Sequence, residues 1–208
     1  MRFAKTLLSA AAVLVMAIPA MSVPAMADAG DILVRIRGVA VIPDVSDNIP
    51  GLKAGADGNF IPEIDGTYFL TNNLALELIA GTTKHTVKAD PVGQLGTVWL
   101  LPPTLTAQYH FVPEGTSFRP YVGAGVNYTF MYSAQDSGIL HGPHVSYGDN
   151  FGWALQAGAD IPIGSQGLFL NVDLKKIFLS TEVKIAGVKA GSAALDPWLV
   201  GVGVGIKL

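Results

Sequence analysis

The sequence predicts an all-β fold, an eight-stranded antiparallel transmembrane up-and-down β-barrel, and three observations predict it. The first is the C-terminal run PWLVGVGVGIKL from Pro197, where Trp198, Val200, Val202, Val204, Ile206 and Leu208 occupy every second position. Leu199, Gly201, Gly203, Gly205 and Lys207 stand between them. Side chains alternate across a strand, so one face here is continuously apolar and the other is nearly bare backbone. Glycines at this density make a poor solvent face, but they suit the crowded interior of a narrow closed barrel. The second observation is an export signal. Arg2 and Lys5 precede an apolar stretch from Leu7 to Ala20, and Ala25-Met26-Ala27 supplies small residues where a signal peptidase reads. Cleavage is expected after Ala27, leaving residues 28–208 as one barrel domain. Pro19, Pro24 and the shortness of the apolar core argue against a retained membrane helix. The third is composition. Only 14% of the residues are charged, against about 25% in ordinary soluble domains. Beyond the signal no run reaches the roughly 18 uninterrupted apolar residues of a membrane helix. A hydrophobic exported chain without such a helix crosses a bilayer as a closed barrel.

Cysteine is absent, which excludes a disulfide framework and thiol chemistry. The formal net charge of -3 and the lack of basic clusters give no support for nucleic-acid binding, and no nucleic-acid partner is expected.

The period-two segments follow in order. Strand one spans about Ile32–Ile42, with Ile32, Val34 and Ile36 opposite Arg35 and Arg37. Strand two spans about Ile61–Leu70, with Glu63, Asp65 and Thr67 opposite Ile64, Gly66 and Tyr68. Thr71-Asn72-Asn73 turns the chain into strand three, about Leu74–Thr83, where Leu74, Leu76 and Leu78 oppose Glu77 and its neighbours. Strand four is expected over Trp99–Phe111, strand five over Pro120–Met131 and strand six over Phe151–Ile161. Strand seven is expected over Leu168–Leu179, with Lys176 and Phe178 blurring the alternation at its upper end through a bulge. Strand eight is the C-terminal run. Short turns join strands 2–3, 4–5 and 6–7, and long loops join 1–2, 3–4, 5–6 and 7–8. Short periplasmic turns and long extracellular loops are the pattern of outer-membrane barrels. Tyr68, Tyr109, Phe111 and Tyr128 near strand ends suit interfacial girdles.

Several of these segments resemble the outer membrane protein W family. They are Trp99-Leu100-Leu101-Pro102-Pro103-Thr104-Leu105-Thr106-Ala107-Gln108-Tyr109-His110-Phe111, the run Arg119–Tyr128 (RPYVGAGVNY), Phe151–Gly158 (FGWALQAG) and Asp196-Pro197-Trp198. They occur in the family's order along the whole exported chain. The C-terminus departs from it: Leu208 stands where such barrels usually end in Phe, the residue recognised during insertion by the barrel-assembly machinery. The resemblance implies a monomeric barrel in the bacterial outer membrane, among lipid and lipopolysaccharide, that passes small, mainly hydrophobic molecules. It also implies an apolar pocket in the extracellular half, a sideways exit through the wall and a lower lumen too constricted for a wide aqueous pore. No cofactor is implied.

The residues themselves bear on each part of that route. An eight-stranded barrel is just wide enough for side chains to fill. The expected inward set places Arg35, Arg37, Lys175 and Lys207 against Glu63, Asp65, Glu77, Asp160 and Asp173. Opposed charges in such a tube pair, which reads as a structural charge plug or, alternatively, as an ion-selective pore. Leu52, Leu95, Val98, Trp99, Leu101, Ile139 and Leu140 are expected to line an apolar vestibule for the ligand, although packing of the loops on one another would explain them equally. Pro62, Pro102 and Pro103 fall within strands two and four, lack an N–H and interrupt the ladder, which reads either as a lateral exit that ligand or water uses or as a position above the hydrocarbon zone.

Other chemistry is thin. His141 and His144 lack a third metal ligand, His110 reads as a polar lumen contact, and no Ser–His pair for an embedded hydrolase is evident, so neither a metal site nor an enzyme is expected. Two further classes compete with a hydrophobic channel. One is a non-transporting structural barrel whose loops contact lipopolysaccharide, phage or host surfaces. The other is a soluble ligand-binding barrel, which would turn its apolar residues inward and its charges outward.

Overall fold

A computed structural model describes residues 27–47, 53–56, 58–90, 93–112, 118–136, 145–147, 150–163, 166–185 and 188–208. The signal segment expected up to Ala27 lies outside them apart from Ala27 itself, as does the His141–His144 pair. Eight long strands form the wall: β1 (Ile32–Ile42), β2 (Asn59–Phe69), β3 (Leu74–Gly81), β4 (Thr104–His110), β5 (Arg119–Asp136), β6 (Asn150–Pro162), β7 (Leu168–Ile185) and β8 (Trp198–Lys207). Each pairs antiparallel with the next. β8 returns to β1, from Lys207 beside Leu33 to Trp198 beside Ile42, so the sheet closes on itself. Closure satisfies the backbone internally, as a bilayer demands.

Burial alternates along the wall strands, most regularly on β2, β3 and β4, where every second side chain is buried. On β1 the side chains of Leu33, Arg35, Arg37, Val39 and Val41 are buried. Ile36, Ile64, Leu78, Leu105, Val122, Trp153, Leu174 and Val202 are exposed on the outer face. Apolar outside and charged inside is the order for lipid, and the reverse of a soluble barrel. Aromatic pairs lie on that outer face near opposite ends: Tyr109 against Phe111 at 5.1 Å and Tyr128 against Phe130 at 4.8 Å.

The luminal glycines have a steric cause. A Cβ on Gly203 would run into the carbonyl oxygen of Ile36 and lie 2.8 Å from Arg37 Cα, both on the neighbouring strand. One on Gly125 would meet the Leu105 carbonyl in the same way. Gly203→Ala therefore forces β1 and β8 apart at the closing seam. We expect a loss of about 1–3 kcal/mol in a urea unfolding series in detergent. Gly66→Ala, with open space around its Cβ, serves as the control.

Three expectations need correction. Strand four does not run unbroken from Trp99. Gly93–Leu101 and Thr104–His110 are separate strands divided at Pro102-Pro103, because neither proline has an N–H to extend the ladder. The segments expected as loops also carry strands. Thr83–Asp90 and Gly93–Leu101 form a hairpin, and Val188–Leu195 pairs with the upper half of β7. β5 and β7 reach Asp136 and Ile185, well past the last pairs they make with β4, β6 and β8. Finally, β7 has no bulge at Lys176: its register with β6 is unbroken from Phe169 to Leu179, and the irregularity comes later, between Val183 and Lys184. Lys176 points outward by simple alternation. Its Nζ meets Asp44 at 3.3 Å and lies over the rings of Trp198 and Phe178 at 5.0 and 5.9 Å. That is how a long cationic side chain is accommodated at a membrane edge.

Candidate functional site

The lumen is built in three layers, and β1 passes through all of them. At the end that carries the short turns Leu33 packs with Phe69, Ala75 and Phe169, all buried. Arg119 seals this end. Its Nη2 donates to the Asn72 carbonyl, and its guanidinium lies 4.9 Å from the Phe69 ring.

The middle layer is ionic. Arg35 grips Asp160 with two hydrogen bonds, Nε to Oδ1 at 3.1 Å and Nη2 to Oδ2 at 2.8 Å, and also reaches Asp65 at 2.8 Å. Such a two-pronged guanidinium–carboxylate pair is strong and directional. Arg37, one inward step higher, meets Glu63 and Asp65 at 2.8 Å each and Glu77 at 3.2 Å. Lys175 lies 3.5 Å from Glu63 and 3.9 Å from Asp173. The layer holds Glu63, Asp65, Glu77, Asp160 and Asp173 against Arg35, Arg37 and Lys175, so carboxylates are in surplus. Neutral donors compensate. Thr106 Oγ1 donates to Glu77 at 2.9 Å, Tyr121 Oη to Asp173 at 2.8 Å, Gln156 Nε2 to Asp173 at 2.7 Å and Asn171 Nδ2 to Asp160 at 2.8 Å. A buried carboxylate is tolerated where its lone pairs are met this way. His110, buried, packs between the rings of Phe69 and Tyr121 and contacts Gln108 through Nε2 at 2.9 Å.

Eight of the nine residues expected in the charge plug converge here; Lys207 does not. It sits at the rim on the short-turn side, with its side chain 31% exposed, and pairs with Asp31 at 2.6 Å. That hydrogen bond holds the Asp31 carboxyl below the usual carboxylate range.

Above the ions lies an apolar layer. Val39, Val41, Ile61, Ile177, Leu179 and Leu199 form one buried cluster. They come from β1, β2, β7 and β8 at the positions that follow Arg37, precede Glu63 and follow Lys175 on the inward face. None was among the expected vestibule residues. The signal was the same alternation that found the charges, continued upward. Of the residues expected to line the vestibule, Leu52, Ile139 and Leu140 lie outside the described residues, as do the side chains of Leu95 and Val98. Trp99 is half-buried, in register with Lys84 and Tyr132. Leu101 is exposed, in register with Phe130.

At the height of this apolar cluster the ladders on both sides of β3 are interrupted. The β2–β3 ladder ends at Glu63–Gly81 and the β3–β4 ladder at Ile79–Thr104. One further step would set Pro62 across from Thr82; one and two further steps would set Pro103 and Pro102 across from Ala80 and Gly81. The top of β3 thus has proline in the facing positions on both sides. Above that, Phe60 donates its amide to Asn59 Oδ1 at 2.8 Å, a side-chain cap on the upper β2 backbone.

The OmpW family model matches residues 28–208. The chain belongs to the OmpW family. It is 43% identical over 180 residues to the uncharacterized outer-membrane protein y4mB of Sinorhizobium fredii, covering 82% of this chain and 77% of that protein. It is 32% identical over 166 residues to the dibenzothiophene metabolism operon protein PahQ of Pseudomonas aeruginosa, covering 76% and 75%. The crystal structure of the outer membrane protein OprG from Pseudomonas aeruginosa superposes with a TM-score of 0.75 at 26% identity, over 87% of this chain and 97% of OprG. Membership of the OmpW family places the chain in the bacterial outer membrane as an outer-membrane barrel. In outer-membrane barrels the short turns face the periplasm, which puts the apolar cluster on the outer side of the ion layer.

Proposed function

We propose that this OmpW-family barrel is a non-enzymatic channel that takes up small, mainly hydrophobic molecules from outside and releases them sideways into the membrane. The observation that carries the reading is the stacking of the buried apolar cluster directly on the ion layer, with the ladder interrupted at the same height; in this reading the cluster forms the floor of an apolar cup open to the outside. A hydrophobic solute gains roughly 25 cal/mol per Å² of apolar contact on leaving water for such a cup. It gains nothing by entering the ion layer below, where it would part charges that need one another. The remaining way out is lateral, past the positions where Pro62, Pro102 and Pro103 face the top of β3. Trp99, Leu101 and the apolar loop residues Leu52, Leu95, Val98, Ile139 and Leu140 line the entrance in this reading. The dibenzothiophene-operon name of PahQ accords with a hydrophobic permeant.

The test is initial uptake of a small hydrocarbon at matched surface expression, in cells lacking other such channels. Leu199→Asn places an amide in the cup. Losing about 50 Å² of apolar contact there is worth close to tenfold in uptake. Lys207→Ala, at the rim, leaves uptake unchanged. Equal rates for Leu199→Asn and the parent would remove the transport reading and favour a barrel that acts through its loops on lipopolysaccharide, phage or host surfaces.

A further inference from the structure

In a regular strand the carbonyls alternate between the two neighbouring strands. On β4 the His110 amide donates to Asn73, which precedes β3, so even-numbered residues face β3. Pro103, odd-numbered, accepts from the Tyr128 amide of β5 at 3.1 Å, as that alternation requires. Pro102 is the next residue due to face β3, and its carbonyl would meet the Gly81 amide. Instead it receives hydrogen bonds from inside the barrel, from Asn127 Nδ2 at 3.2 Å and Thr104 Oγ1 at 3.1 Å. Asn127 Nδ2 also lies 2.8 Å from Thr104 Oγ1 and 3.3 Å from the Pro103 carbonyl. Asn127 is itself held, because Thr129 Oγ1 donates to its Oδ1 at 2.7 Å. Asn127, Thr104 and Thr129 are all buried. This arrangement explains how a membrane barrel tolerates a broken ladder: the orphaned carbonyl finds its partners in the lumen.

We propose that Asn127 and Thr104 are positioning residues that keep the wall parted beside β3, by turning the Pro102 carbonyl into the lumen and away from Gly81. Proline removes the donor at this point in the ladder, and the Asn127–Thr104 pair removes the acceptor. Without the pair, the Pro102 carbonyl has one good partner left in a dry wall, the Gly81 amide, and the seam closes. The consequence for transport rests on the lateral-exit reading above; the consequence for the wall does not.

The two are separated by measuring amide hydrogen exchange at Gly81 and hydrocarbon uptake on the same variants, with the exchange read in lipid vesicles. Thr104→Val keeps the shape of threonine and removes its hydroxyl, and Asn127→Leu removes the amide. Exchange at Gly81 is expected to slow about tenfold in each, because a new backbone hydrogen bond protects it. Thr104→Ser restores the parental rate. A merely structural role for the pair predicts the opposite sign, faster exchange as the wall loosens. Unchanged or faster exchange at Gly81 in a folded variant overturns the proposal, and Thr104→Val carries the test alone if Asn127→Leu does not insert. Slower exchange together with slower uptake supports both readings. Slower exchange with undiminished uptake supports the positioning role and removes the lateral exit.

Discussion

Arg35→Met is expected to unfold the barrel or strip it of most of its stability. Arg35 satisfies Asp160 through two hydrogen bonds and Asp65 through a third, all inside a lumen where its own side chain has no solvent contact. Removing one partner of a buried ion pair costs about 3–5 kcal/mol, since the remaining charge is left uncompensated. Here two carboxylates are stranded in a layer that already holds more carboxylates than cations. Whole domains are stable by only about 5–15 kcal/mol. The measurement is a urea midpoint in detergent, with recovery of the folded band after dilution as a second readout. The double variant Arg35→Met/Asp160→Leu is expected to regain part of the loss, because an apolar pair of similar size leaves one fewer charge unpaired. A midpoint for Arg35→Met equal to the parent's would show that the layer does not hold the wall strands together.

The barrel was legible in the sequence because lipid imposes one rule on every strand. Where the outer face must be apolar, the inner face stands out by contrast, as Arg35 and Arg37 do between Val34, Ile36 and Gly38. The same rule identified Glu63, Asp65 and Glu77 as inward residues. It fell silent in three places, each for a physical reason. Val39, Val41, Ile61 and Leu199 are inward but apolar, so nothing distinguished them from their lipid-facing neighbours except parity. Above the membrane neither face of a strand need be apolar, so Thr83–Asp90 lost the contrast and read as a loop. Lys207 has luminal parity but lies past the end of the dry interior, and parity fixes a face without fixing a height. The prolines signalled an interruption, yet the role of Asn127 required knowing which strand lay across from Pro102.

The account centres on solute leaving between the top of β3 and its proline-bearing neighbours, and the absence of cysteine from this chain allows a direct test. Ala80→Cys and Pro103→Cys, introduced together, place two thiols one step past Ile79–Thr104, the last pair of the ladder between β3 and β4. Facing residues in an antiparallel pair have Cα atoms roughly 5 Å apart, within the span of a disulfide. Oxidation then staples the seam shut without touching the cup or the ion layer. The measurement is initial hydrocarbon uptake by the same cells before oxidation, after it, and after a reductant, with cross-linking followed on a gel and each single cysteine variant as a control. The account predicts that uptake falls to the level of cells without the barrel on oxidation, returns on reduction, and does not respond in the single variants. Full uptake through the cross-linked barrel would contradict it.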